Sequence, residues 1–74
     1  MSATRRARAA ALLSVLPREL VLSEDAIAEL RGHLDCTRRE VLQAVDDLAA
    51  RLKVDVISRG DRVVVVKVER EDAA

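Results

Sequence analysis

The spacing of the apolar residues changes at Lys53, and this change limits the folds that the chain can adopt. Before it, four apolar residues recur at intervals of four, three and four, which is the spacing of one face of an α-helix. Those four are Val41, Val45, Leu48 and Leu52. After it, Val54 and Val56 alternate with Asp55 and Ile57 in the period of two that is typical of β-strands, and a run rich in valine follows at 63–68. Both patterns within 74 residues predict an α+β fold.

The start of that helix is marked by Thr37-Arg38-Arg39-Glu40. A hydroxyl and a carboxylate three residues apart form a capping box, in which each side chain accepts a hydrogen bond from the other residue's backbone N–H. We therefore predict a helix that begins at Thr37. Its buried stripe leaves Arg38, Arg39 and Gln43 outside.

Two more helices are predicted before it. Residues 4–16 are strong helix formers, with Thr4 as the cap and Pro17 as the stop. After a very short extended segment at 20–22, Ser23 is predicted to cap a second helix. The residues predicted to be buried are Ala7, Ala11, Leu12, Val15 and Leu16 in the first helix and Ala26, Ile27, Leu30 and Leu34 in the second.

A β-hairpin is predicted around the turn residues Arg59-Gly60-Asp61-Arg62. With Gly60-Asp61 as a two-residue loop, alternation separates two faces. One face holds Val54, Val56, Val63 and Val65, and the other holds Ile57, Val64, Val66, Arg59 and Arg62. The apolar row Ile57, Val64 and Val66 either meets a partner or is covered by the first helix or by residues 69–74, which we expect to be a frayed tail.

Composition narrows the classes of function. Seventy-four residues are enough for one domain, expected at 1–74. The absence of aromatic residues disfavours binding of single-stranded nucleic acid, whose bases stack on aromatic rings. It also leaves a modest core, which dimerisation would support. A net charge of zero argues against non-specific coating of nucleic acid. No apolar run is long enough for a membrane span, and the lone cysteine fits a reducing compartment, so a cytoplasmic protein is expected.

The predicted order of helix, short strand, helix, helix and hairpin, together with LRGHLDCTRREV at 30–41, resembles the winged helix-turn-helix superfamily. The pattern looks similar to that of small bacterial or phage regulators with MarR-, ArsR- or GntR-like DNA-binding domains. The pattern of that superfamily has two apolar residues, a turn residue, a small buried residue, a Ser/Thr cap and a third apolar residue. Leu30, Leu34, Asp35, Cys36, Thr37 and Val41 occupy those places in turn. Glycine is usual at the turn position because the backbone there has a positive φ, and Asp35 replaces it.

The resemblance implies a sequence-specific protein that binds double-stranded DNA, such as a transcriptional regulator or a phage repressor or excisionase-like factor. The third helix would lie in the major groove, with Arg38, Arg39 and Gln43 reading bases and Thr37 binding a phosphate. Arg59 and Arg62 would act as the wing. Arg5, Arg6 and Arg8 are candidates for contacts with the DNA backbone. For each of these three groups of residues, in the third helix, the hairpin and the first helix, the alternative is a solvated surface without a binding role.

Other functions have less support in the sequence. His33 and Cys36 have a spacing that a metal could use, but zinc needs four ligands and the chain has no second His or Cys, so no cofactor is expected. No nucleophile, base and phosphate loop occur together, so neither an enzyme nor a small-molecule substrate is predicted. Asp46 and Asp47 would repel phosphates. They favour the alternative, a winged helix that binds a protein and not DNA.

Overall fold

A computed structural model of the chain describes residues 2–68, and side chains from Arg5 onward. The described elements are α1 (Ser2–Val15), β1 (Glu19–Val21), α2 (Glu24–Leu34), α3 (Arg38–Ala50), β2 (Val54–Arg59) and β3 (Arg62–Lys67). The α+β class predicted from the sequence is confirmed. The tail predicted at 69–74 lies outside the described residues.

The core lies between the three helices and one face of the sheet. α3 is central to it, because α3 contacts α1, α2 and β2. The buried side chains are Ala9, Leu12, Leu16, Ile27, Leu30, Val41, Ala44, Val45, Leu48, Val54 and Val65. Leu12 and Val41 are completely inaccessible, so either one cut back to alanine would leave a cavity in the packing of α1 on α3.

The predicted buried face of α1 is partly wrong. Leu12 and Leu16 are buried as expected, but Ala7, Ala11 and Val15 are exposed and Ala9 is buried in their place. α1 also begins at Ser2 and not at Thr4. Alanines occur on two different sides of this helix, so its contacts with α2 and α3 determine which of them face inward.

The turn between α2 and α3 has the geometry that the sequence pattern predicts. Ser23 caps α2 through a hydrogen bond accepted from Ala26 N at 3.2 Å. α2 ends at Asp35, whose φ of 55° and ψ of 53° place it in the left-handed region, and its N–H donates to the carbonyl of Arg31 at 2.7 Å. α3 then starts with the predicted capping box: Glu40 N to Thr37 Oγ1 is 3.2 Å and Thr37 N to Glu40 Oε1 is 3.0 Å.

The end of α3 differs from the prediction. Leu52, expected on the buried stripe, is 66% exposed, and Ala44 is buried instead. The helix stops at Ala50, and Leu52 has a φ of 59°. Its N–H donates to Ala49 O at 3.0 Å, while Lys53 N donates to Leu48 O at 2.9 Å. This is a Schellman termination, which turns Leu52 away from the stripe.

The three strands form one antiparallel sheet in the order β1-β3-β2. Arg59 pairs with Arg62, so Gly60 and Asp61 form the predicted two-residue loop, and Gly60 has the positive φ (64°) that a tight hairpin turn requires. Val54 and Val65 are buried beneath the helices, while Val56, on the same face nearer the loop, is 45% exposed. The expectation that Val56 belongs to the core is therefore wrong.

Candidate nucleic-acid interface

The exposed face of α3 lies opposite its buried stripe. Arg39, Gln43, Asp46 and Ala50 follow one another at intervals of four, three and four, and therefore lie on one side of the helix. Gln43 is half-buried and the other three are exposed. The face thus presents a cation and an amide in its first two turns and a carboxylate in the next.

Arg38 is held at the edge of this face by the start of α2. Its Nη2 and Nε lie 2.8 and 3.2 Å from the two carboxylate oxygens of Glu24. The pair is well exposed, and its bonds lower the pKa of the Glu24 carboxyl and raise that of the Arg38 guanidinium. Arg39 has no ion-pair partner among residues 5–68. The two arginines predicted to read bases are therefore differently placed: Arg39 is open to solvent and Arg38 is engaged.

Two arginines of α1 bind carboxylates on α3. Arg5 Nε and Nη2 each lie 2.9 Å from an oxygen of Asp47, and Arg8 Nη2 lies 3.3 Å from Glu40 Oε2. Hydrogen bonding from Arg5 lowers the pKa of Asp47, and the Thr37 N–H, with help from Arg8, lowers the pKa of Glu40. Arg5 and Arg8, named from the sequence as candidate backbone contacts, thus connect α1 to α3.

These pairs also separate the two adjacent acids of α3. Asp47 faces α1 and is neutralised there by Arg5, whereas Asp46 remains exposed on the same face as Arg39 and Gln43. Arg6, the third arginine of the predicted arm, is exposed on α1. From the sequence, both Asp46 and Asp47 were expected to repel DNA phosphates, but only Asp46 lies on the exposed face of α3 with Arg39 and Gln43.

The hairpin loop carries the other predicted cations. Arg59 and Arg62 face each other across the two-residue loop, so both side chains lie on the same face of the sheet. Both are exposed, and neither forms an ion pair within residues 5–68. A pair of unneutralised guanidinium groups thus projects at one end of the sheet.

Cys36 lies in the turn and packs against the core. It is half-buried, and burial raises the pKa of its thiol, which opposes formation of the thiolate that a metal or an electrophile needs. His33, the other residue considered as a ligand, is exposed on α2. Within the part of the chain that the structure describes, no three His, Cys, Asp or Glu side chains come close enough to hold a metal ion.

Sequence reasoning missed the partners of the arginines. Glu24, Glu40 and Asp47 each bind an arginine from another helix, at separations of 14, 32 and 42 residues. Only the excess of arginine without acid in the first 18 residues hinted that α1 would need carboxylates from elsewhere. Nothing in the spacing showed which acids those would be.

No protein-family model, curated protein or solved structure matches this chain. None of the helices within residues 2–68 is long and apolar enough to cross a membrane.

Proposed function

We propose that this chain is a winged helix domain that binds double-stranded DNA sequence-specifically, with α3 as the recognition helix. The observation that carries the proposal is the position of Arg39 and Gln43. They lie on the exposed face of α3, in the turns that directly follow a three-residue connection with a left-handed Asp35. Recognition helices present their N-terminal residues to base edges in this way.

The side chains on this face have suitable chemistry for base readout. A guanidinium group donates two parallel hydrogen bonds to O6 and N7 of guanine, and a glutamine amide pairs in the same way with adenine. Arg39 and Gln43 are one turn apart and would address neighbouring base pairs. Arg38, at the rim, would exchange Glu24 for a phosphate or a base edge.

The sheet supports the same proposal. A hairpin that follows α3 and pairs with a short strand before α2, in the order β1-β3-β2, is the arrangement expected of a wing. Arg59 and Arg62 at its loop would bind a phosphate or enter the adjacent minor groove. Such a domain would act as a small transcriptional regulator, or as a phage repressor or excisionase-like factor.

Asp46 favours a second candidate, a winged helix that binds a protein and not DNA. Its exposed carboxylate is on the proposed reading face, and the N-terminus of α2 adds Glu24, which is bonded to Arg38 at the start of α3, and the adjacent Asp25. Phosphates would be repelled by all three. For DNA to bind, the duplex must therefore contact the first two turns of α3 and avoid Asp46, while Arg38 offsets the charge of Glu24.

Selection from a random-sequence duplex pool, followed by anisotropy titrations at several salt concentrations, tests the proposal. We expect one enriched sequence, with an affinity that falls steeply between about 50 and 200 mM salt because phosphate contacts release counterions. Failure to bind any duplex at low salt would reject DNA as the partner and leave the protein-binding candidate.

A matched pair of variants tests the site. Arg38→Ala combined with Arg39→Ala should abolish selection of the enriched sequence while the protein stays folded, with at most a small change in Tm. Arg51→Ala removes an exposed guanidinium just beyond the opposite end of α3, and should weaken all sequences slightly and equally. Equal loss of specificity in both variants would assign base readout to another surface.

A further inference from the structure

The face of the sheet that points away from the helices is divided into three rows. Because antiparallel partners share a face, the register gives each row directly. The first row is Glu19, Val66 and Asp55; the second is Val21, Val64 and Ile57; the third is Arg62 and Arg59. Successive rows are two residues apart along the strands, or about 7 Å. This outer face therefore runs from acidic through apolar to basic.

The apolar row is uncovered within the described residues. Val21 is 44% and Ile57 is 38% exposed, while Val64 and Val66 between and beside them are half-buried. The helices lie against the other face, where Val54 and Val65 are 1% exposed. An apolar strip across all three strands of a small sheet is typical of a surface that meets another molecule.

We propose that the occupant of the outer face is a second copy of this chain, packed sheet against sheet. A two-fold axis that runs along the Val21, Val64 and Ile57 row would place each of these side chains against its own counterpart. The same rotation reverses the strand direction, so Arg59 of one copy meets Asp55 of the other, twice, and DNA bound through Arg59 would compete with this dimer. An isologous interface requires this kind of self-complementarity, and the order of the rows supplies it.

The charges also decide between possible symmetries. An axis parallel to the strands would keep each row at its own level and set the arginines of one copy against the arginines of the other. Such like-charge contacts are unfavourable. Of these two axes, the one along the apolar row brings opposite charges together, and the proposal specifies that arrangement.

The strength of this dimer follows from the size of the strip. The apolar row with Val66 beside it has four apolar side chains, which cover less than the ~800 Å² per partner of standard interfaces, so association should be weak. Because two ion pairs contribute, added NaCl should dissociate the dimer. Sedimentation equilibrium of the full chain without DNA, up to ~1 mM protein, should show a monomer–dimer equilibrium at low salt that shifts to monomer at high salt.

Complementary charge reversals test the arrangement. Arg59→Asp sets a carboxylate against Asp55 of the other copy and Asp55→Arg sets a guanidinium against Arg59, so each variant alone should remain monomeric. An equimolar mixture of the two should form a heterodimer, since one ion pair is restored with reversed polarity and the other is the original pair of Arg59 with Asp55. Two folded variants that stay monomeric when mixed would overturn the proposed symmetry.

Neighbouring residues on opposite faces of β2 provide the control for the apolar row. Ile57→Lys should weaken dimerisation about tenfold or more, whereas Val56→Lys, at a similarly exposed position on the opposite face, should leave it unchanged. Circular dichroism checks that both variants fold. A parent chain that is monomeric at ~1 mM, or equal effects of the two substitutions, would reject the proposal. The proposal would also be rejected if the chain were monomeric and a version truncated after Val68 bound more of a dye specific for exposed apolar surface. That result would mean that residues 69–74 cover the outer face.

Discussion

α2 and α3, on either side of the Asp35 turn, place their charges in opposite ways along the helix dipole. α2 follows the electrostatic preference of a helix, with acids in its first turn and basic residues in its last. α3 opposes that preference: Arg38 and Arg39 occupy its first turn, and Asp46 and Asp47 lie toward its end. The charges of α2 therefore stabilise their own helix, and most of those of α3 do not.

The start of α3 is stabilised by other means. The capping box satisfies two N–H groups, and Glu40 is the one acid in its first turn. Arg8 and Arg5 connect α1 to Glu40 and Asp47. With the helix fixed by these contacts, unfavourable cations at its start are tolerated. Cations retained where they oppose the dipole are consistent with a role outside folding, as proposed above for Arg39.

The largest expected effect comes from reversing the charge at Arg39. Arg39→Glu should weaken binding to the selected duplex by about 100-fold or more, through loss of a base contact and new repulsion of phosphates. The same change should stabilise the protein by about 0.3–1 kcal/mol, because an acid suits the first turn of a helix. Anisotropy and urea unfolding measure the two effects.

Asp25→Lys in α2 is the matched control for that reversal. It replaces an exposed first-turn acid with a base, so stability should fall by a similar ~0.3–1 kcal/mol. If both substitutions changed stability in the same direction, the contrast between the two helices would be incorrect.

The next largest effect should distinguish the two caps. Thr37→Ala removes the hydroxyl of a reciprocal capping box at a helix start with unfavourable charge, and should cost about 1–2 kcal/mol. Ser23→Ala removes a single hydrogen bond at a start already favoured by acids, and should cost about 0.5–1 kcal/mol. Chemical denaturation measures both, and an equal or larger loss at Ser23 would show that the dipole does not make α3 more dependent on its cap.

These caps were predictable because their signals are local. Thr37 with Glu40, and Ser23 before its acids, lie within four residues of the groups they satisfy. The positive φ of Asp35 followed from its place in the turn, and the hairpin register followed from the alternating valines and the Gly60 loop.

The misplaced features depend on contacts that are distant in sequence. The alanines of α1 do not define a face, so its buried side depends on α2 and α3. Leu52 terminates α3 without the glycine that usually marks a left-handed position, so the helical spacing wrongly extended through it. The ion pairs that engage some arginines of the candidate site and leave others open to solvent join separate helices, so no local spacing in the sequence predicts them.

A smaller effect is expected from acid. The pKa values of Glu40, Asp47 and Glu24 lie below the ordinary values of 4.5 for Glu and 3.8 for Asp. The unfolded chain therefore binds protons more tightly, so their contribution to stability is complete above about pH 5 and is lost as pH falls through the folded-state pKa values. The Tm should be constant from pH 7 to about pH 5 and then decline.

Arg5→Met tests the assignment of part of that decline to Asp47. Without its hydrogen-bond partner, the Asp47 carboxyl should titrate nearer its ordinary pKa, and the loss of Tm on acidification should be smaller. Arg6→Met, a neighbouring exposed arginine, should leave the pH profile unchanged. A profile that responds equally to both substitutions would contradict the Arg5 assignment.

The smallest effect should come from substitution of Glu24, which joins α2 to α3 through its ion pair with Arg38. Glu24→Gln removes a favourable charge from α2 and releases Arg38 from α3, so folding and binding should change in opposite directions. Because the pair is exposed, the Tm should fall by only about 1–2 °C. Affinity for DNA should rise about threefold, since Arg38 gains freedom to bind a phosphate and one repulsive carboxylate is lost.

Asp25→Asn removes the same charge one residue away without touching Arg38, so it isolates the repulsion. An affinity gain as large in Asp25→Asn as in Glu24→Gln would mean that the ion pair does not restrain Arg38.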